Sequence, residues 1–410
     1  MLAQRPGLLH YHHHHRHRKI RCHTTLSPTR QVTTYEKSLP GVEFNADGIV
    51  SYTPPNLPRV EAPAQVRPIV ILPGFGNNSN DYIAPFGKQD SLVNSLKARG
   101  FPVYVVQVNR KDWFRVARAL FTIRFWSSTL TTKPGYTWYL KRVNDAVEEA
   151  LQETGAEQVD LIGHSAGGWL GRAFIGDPDF FPTGTLQQQQ QLDTSGSAEI
   201  SSDAVGGAQR VSAALPSLPP LTMTLPQAWD GAQQGGSVSE EETNRLRPNP
   251  RVRSLITLGT PQKPPPADKV RDVTGGAVGW VHSKFPGAYF ADQGVTYINV
   301  CGLTVKGRRE VTSEGKVVYD TKRARFPYEY AYDSYNQVCA EGQGNVGDAV
   351  VPLQSAYLAG ARQLVIPGVW HSMSRVGTFE EESGVVWYGS DSVVDTWLSA
   401  YLEEAYGRSA

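Results

Sequence analysis

Val159-Asp160-Leu161-Ile162-Gly163-His164-Ser165-Ala166-Gly167-Gly168-Trp169 joins a short apolar run to a longer one through a serine flanked by glycines. Val159 to Ile162 reads as a buried strand and Trp169 to Ile175 as part of a helix, so the serine stands at a strand-to-helix turn. Gly163-His164-Ser165-Ala166-Gly167 is G-x-S-x-G, a pattern that is weak alone and specific in this context. Glycine at 163 and 167 lets strand and helix approach closely. The turn lifts the Ser165 hydroxyl above the sheet and aims the helix N-terminus at it, the arrangement an attacking oxygen and its oxyanion need.

Moving outward, the other apolar runs repeat this logic. Ile69 to Leu72, Val103 to Val108, Ser254 to Leu258, Thr296 to Val300 and Gln363 to Ile366 are short and continuous rather than alternating, as strands buried on both faces are. Helical stretches at Ser91 to Arg99, Thr137 to Thr154 and Ser392 to Tyr406 fall between or after them. Strand and helix in turn imply an α/β fold with a mostly parallel central sheet flanked by helices.

A serine nucleophile needs a base, and the base needs an orienting acid. Only His282 and His371 follow Ser165. His371 lies on the loop after the last strand, through Pro367-Gly368-Val369-Trp370; His282 is near the end of no strand. His371 is therefore the expected base. Asp348, in Gly347-Asp348-Ala349-Val350-Val351-Pro352, is the expected acid, with Asp320 and Asp333 as less defined rivals. An oxyanion hole would draw one amide from Ala166 and one from Gly74-Phe75-Gly76-Asn77, where Phe75 is the first choice and Gly76 the alternate.

Leu72-Pro73-Gly74-Phe75-Gly76, Gly163 to Gly168 and Leu258-Gly259-Thr260-Pro261 together resemble the lipase-like α/β-hydrolases, within them a plastid and cyanobacterial branch. The resemblance covers roughly residues 66 to 405. It implies the α/β-hydrolase fold, hydrolysis of carboxylic esters, often of acyl lipids, and no cofactor or metal. Ser165, Asp348 and His371 take the catalytic places by order and context. Acyl transfer to an alcohol from the same acyl-enzyme is the alternative enzyme reading. A hydrolase-fold scaffold that binds without turnover is the alternative of a different class.

The remaining segments set the domain plan. Residues 1–35 hold no Asp or Glu but carry six Lys or Arg, several hydroxyls and a His-rich run around His12 to His15. That is the composition of an organelle transit peptide or of a disordered basic tail. A plastid is the expected compartment, a mitochondrion the alternative. Residues 36–65, rich in proline near their end, read as a linker into a hydrolase domain at 66–406. Within it, 183–250 (with Gln187 to Gln191) is expected as a low-complexity, disordered insertion, and 261–295 as a cap. There Trp280, Phe285, Tyr289 and Phe290 are candidates to cover an acyl chain.

Trp113 to Trp126 reads as an apolar helix with Arg115, Arg118 and Thr122 along one stripe, which leaves peripheral membrane contact open. No apolar run approaches the ~18 residues a membrane span requires. Three unpaired cysteines argue against a disulfide framework. A formal charge of +1 speaks against nucleic acid as partner. A small-molecule or lipid ester is the expected partner, and oligomeric state is not legible in the sequence.

Overall fold

The computed structural model describes residues 42–182, 246–317, 326–373 and 385–407. The basic N-terminal segment, residues 183–245 of the expected insertion and Asp320 lie outside them. Six strands form one wholly parallel sheet: β1 (Ile69–Leu72), β2 (Val103–Val105), β3 (Val159–His164), β4 (Val252–Leu258), β5 (Thr296–Leu303) and β8 (Arg362–Pro367), in the order β2-β1-β3-β4-β5-β8. A small antiparallel pair, β6 (Val305–Lys306) and β7 (Val346–Gly347), stands apart from it. The expected α/β-hydrolase architecture is present.

Continuous apolar strands are explained by the two layers they separate. Val70 and Leu72 face a core shared with the helices Thr137–Thr154 and Ala166–Gly176. Ile69 and Ile71 face the other, built on Leu92–Lys97 and the C-terminal helix Asp391–Tyr406. All four side chains of β1 are fully buried, each stabilising the fold by about 1.5–3 kcal/mol. Thr137–Thr154 buries Tyr139, Leu140, Val143, Ala146, Val147 and Ala150 at helical spacing and ends at Gly155, whose φ of 67° suits glycine.

Strand order places the site. From β1 the chain runs to β2 on one side, then returns past β1 to β3 on the other. The crevice above the carboxyl ends of β1 and β3 is thus a topological switch point, where ligands of open α/β sheets bind. Leu72 pairs with Gly163 and His164 with Leu258, so the loops opening at Pro73, Ser165 and Gly259 leave the sheet at one edge.

Four expectations need correcting. Trp113 to Trp126 is not a continuous α-helix: Arg110–Phe121 is wound as a 3-10 helix, followed by a short α-helix, Ile123–Trp126. The cap aromatics serve packing: Phe285 and Phe290 are buried in the core, with Trp280 and Tyr289 packed against it. Residues 246–250, assigned to the insertion, belong to the body. Asn249 is fully buried and its side chain donates to the Phe180 carbonyl at 2.9 Å, leading into β4. The stretch before β1 has no regular structure, yet it is docked: Val60 is buried and its amide donates to Asp395 at 3.0 Å.

Candidate active site

Ser165 occupies the turn between β3 and the helix Ala166–Gly176, with φ 52° and ψ −124°. For a residue with a side chain this backbone is strained by roughly 1–3 kcal/mol, and close packing holds it there. A Cβ at Gly163 would overlap the backbone of Gly168, and one at Gly167 the Leu72 carbonyl oxygen. Side chains at either position would push the helix off the sheet and relax the turn. Ser165 itself is only half-buried, and its amide donates to the Leu258 carbonyl at 2.9 Å.

Asp348 follows β7 directly and is buried. Its Oδ1 accepts the Val350 and Val351 amides at 3.0 and 2.7 Å, and its Oδ2 accepts the Tyr388 hydroxyl at 2.7 Å and lies 2.8 Å from Nδ1 of His371. The His371 amide also donates to the Asp348 carbonyl at 2.9 Å. Acid and histidine, 23 residues apart in sequence, are thus clamped through side chain and backbone. With Nδ1–H committed to the carboxylate, Nε2 holds the lone pair able to take a proton.

His164 joins this pair to the opposite wall. The Tyr82 hydroxyl accepts the Gly74 amide at 3.0 Å and Nδ2 of Asn77 at 3.2 Å. Its own proton is left for Nδ1 of His164, 2.7 Å away. Nε2 of His164 must then carry hydrogen and donate to the His371 carbonyl at 2.7 Å. Burial, then the neighbouring His371, pushes the His164 pKa down to about 3, so the ring is neutral and serves as a strut between the Gly74 loop and the His371 loop.

Gly74 fits tightly over the serine; a Cβ there would stand 2.8 Å from the Ser165 Cβ. Phe75, the first-choice oxyanion residue, is 57% exposed and its ring lies 5.0 Å from that of Trp113. Gly76 has a φ of 77°. The Gly74 amide is bound to Tyr82, whereas the Phe75 amide makes no backbone hydrogen bond among the described residues. Ala166 opens the helix, where the first amides have no partner within it. His282 lies in the helix Ala277–Lys284, its pKa lowered by burial and then by Arg172. Asp333 is tied to Arg309 at 2.5 Å. Neither rival meets Ser165 or the Asp348–His371 pair through any hydrogen bond among the described residues.

Set beside these distances, a sequence comparison decides the family: the model of the alpha/beta hydrolase family matches residues 69–305. The chain belongs to the alpha/beta hydrolase family. Its coarse class is accordingly a hydrolase. No curated protein matches the chain. Among solved structures, the mature form of lipase BlEst2 from Bacillus licheniformis is 13% identical over 77% of this chain and 89% of its own, with a TM-score of 0.30. The lin2722 gene product of Listeria innocua is 11% identical over 84% and 95%, with a TM-score of 0.31.

Two residues of this candidate site escaped the reading of the sequence, and a third was read only as part of a motif. Tyr388 bridges the Asp348 carboxylate and the Gly302 amide, which donates to it at 2.7 Å; burial, then Asp348, drives its pKa well above the usual phenol value. Tyr82 buttresses the Gly74 loop as described. Gly259 opens the Gly-Thr-Pro motif for a steric reason: with φ 57°, a Cβ there would stand 2.5 Å from the Asp348 Oδ2. Only that glycine carried a signal, as part of a motif whose purpose the sequence does not state.

Proposed function

We propose that this hydrolase cleaves carboxylic esters by a serine mechanism, with acyl lipids as the substrate class. The observation that carries the reading is Ser165 held in a left-handed turn at a helix N-terminus, on the sheet edge where Asp348 grips Nδ1 of His371 at 2.8 Å. Ser165 Oγ attacks the ester carbonyl while Nε2 of His371 takes its proton. The oxyanion is met by the Ala166 amide at the positive end of its helix and by the Phe75 amide, with Gly76 as the alternate. Collapse of that intermediate gives the alcohol, protonated by His371, and an acyl-Ser165. Water, deprotonated by the same nitrogen, then releases the acid. Asp348 keeps the imidazole in the correct tautomer and stabilises its charged form.

Labelling of the full chain with a fluorophosphonate probe, beside its Ser165→Ala twin, tests this. Labelling of the first alone is expected, with ester turnover falling on the order of 10⁶-fold in the twin. Equal labelling of both, or turnover that survives the substitution, would sink the mechanism. The acid-free composition of residues 1–35 supports a plastid as the place of action.

A further inference from the structure

Apolar side chains crowd the surface of residues 110–126. Phe114 is 78% exposed, Phe121 91%, Ile123 87% and Trp126 63%, and Leu120 is exposed beside them. Leaving so many large apolar groups in water within one short segment is unfavourable and marks an interaction surface. Within the segment the charges are mostly of one sign: Arg110 is paired with Asp81 at 2.6 Å, and the cations Arg110, Lys111, Arg115, Arg118 and Arg124 share these residues with a single acid, Asp112. That acid is already held by Arg142 at 2.5 Å and by Arg115 at 3.4 Å. Lys111, Arg118 and Arg124 are exposed, and none pairs with a carboxylate among the described residues. The segment also begins at the rim of the active site: the Phe75 ring packs at a tilt against Trp113, whose indole donates to the Asn77 carbonyl at 2.8 Å.

We propose that residues 110–126 dock the protein onto an anionic lipid bilayer. Phe114, Phe121, Ile123 and Trp126 enter the boundary between headgroups and acyl chains, while Lys111, Arg118 and Arg124 meet lipid phosphates. A second copy of this chain is the poorer occupant, because a two-fold contact through this face would set cation against cation. Docking brings the exposed Phe75 loop, which packs over Ser165 through Gly74, to the surface where acyl lipids lie. It deepens the ester-hydrolase reading and rests on it only for its purpose; the binding needs no chemistry at Ser165.

Sedimentation of the full chain with vesicles of phosphatidylcholine, alone or mixed with phosphatidylglycerol, tests the proposal. Stronger binding to the mixed vesicles is expected, weakening as salt screens the charges. Phe121→Ser with Ile123→Ser should lower partitioning on the order of 100-fold. Arg118→Gln with Arg124→Gln should lower it about 30-fold on the mixed vesicles alone. Ser165→Ala should bind as the parent does, which separates failure of docking from failure of the catalytic reading. Equal binding to both vesicle types, binding to neither, or binding unmoved by both pairs of substitutions overturns the proposal. So does a change of oligomeric state on Phe121→Ser with Ile123→Ser, since that face would then be covered by another copy.

Discussion

Asp348→Asn exchanges one oxygen for an NH₂ group and leaves shape and volume almost unchanged. The surroundings dictate which way the new amide turns. The Val350 and Val351 amides both point at Oδ1, from 3.0 and 2.7 Å, so the remaining oxygen must take that place. The NH₂ then occupies the Oδ2 position, 2.8 Å from Nδ1 of His371 and 2.7 Å from the Tyr388 hydroxyl. An N–H directed at Nδ1 forces the imidazole proton onto Nε2, the nitrogen that must accept the proton of Ser165. The base is lost through its tautomer, and the negative charge facing the imidazolium is lost with it. Together these are expected to lower kcat about 10⁴-fold, equivalent to roughly 5.5 kcal/mol of barrier. The fold should persist, because Tyr388 keeps the Gly302 amide as donor and can accept the second N–H. Steady-state hydrolysis of a short-chain p-nitrophenyl ester, with the thermal midpoint as control, checks the claim. A folded variant that keeps more than about a tenth of the parental kcat would refute the assigned role of Asp348.

Tyr388→Phe removes one donor from the Asp348 carboxylate and leaves the buried Gly302 amide without its acceptor, so stability should fall by about 1–3 kcal/mol in denaturant titration. A carboxylate with one donor fewer holds the imidazolium more firmly, and the acidic limb of the kcat/KM profile should move to higher pH; an unmoved limb would reduce Tyr388 to packing. His164, with its pKa lowered to about 3, binds its proton more weakly folded than unfolded, where the pKa is about 6.5. Its contribution to stability is therefore complete above pH ~6.5 and is lost as pH falls toward ~3, at about 1.4 kcal/mol per unit. Between pH 7 and pH 5 the parent should lose about 2 kcal/mol more than His164→Gln; equal losses in both proteins would mean that the ring takes up its proton without unfolding.

Much of the fold was legible because its signals are local. A buried parallel strand must be apolar along its whole length, so Ile69 to Leu72 and Val159 to Ile162 declare themselves. A tight strand-to-helix turn must have glycines where backbones touch, so Gly163 and Gly167 do too. Arg110–Phe121 was less legible, since its apolar content suits an α-helix and the actual 3-10 winding leaves Phe121 facing water. The cap aromatics misled for a related reason: composition cannot tell a ring that waits for substrate from one that fills a core.

The sequence by itself determined a parallel α/β sheet with Ser165 at its turn, and it singled out Asp348 and His371 by their order after the strands. Those features rest on patterns a few residues long, set by periodicity and by turn chemistry. Tertiary structure alone decided what surrounds them. Tyr388 reaches Asp348 across 40 residues, Tyr82 reaches His164 across 82, and His164 reaches the His371 carbonyl across 207. No local pattern encodes such pairings, because each follows from strand order and register, which only the folded sheet fixes. The same packing leaves Phe121, Ile123 and Trp126 exposed, which an apolar run in the sequence does not by itself reveal.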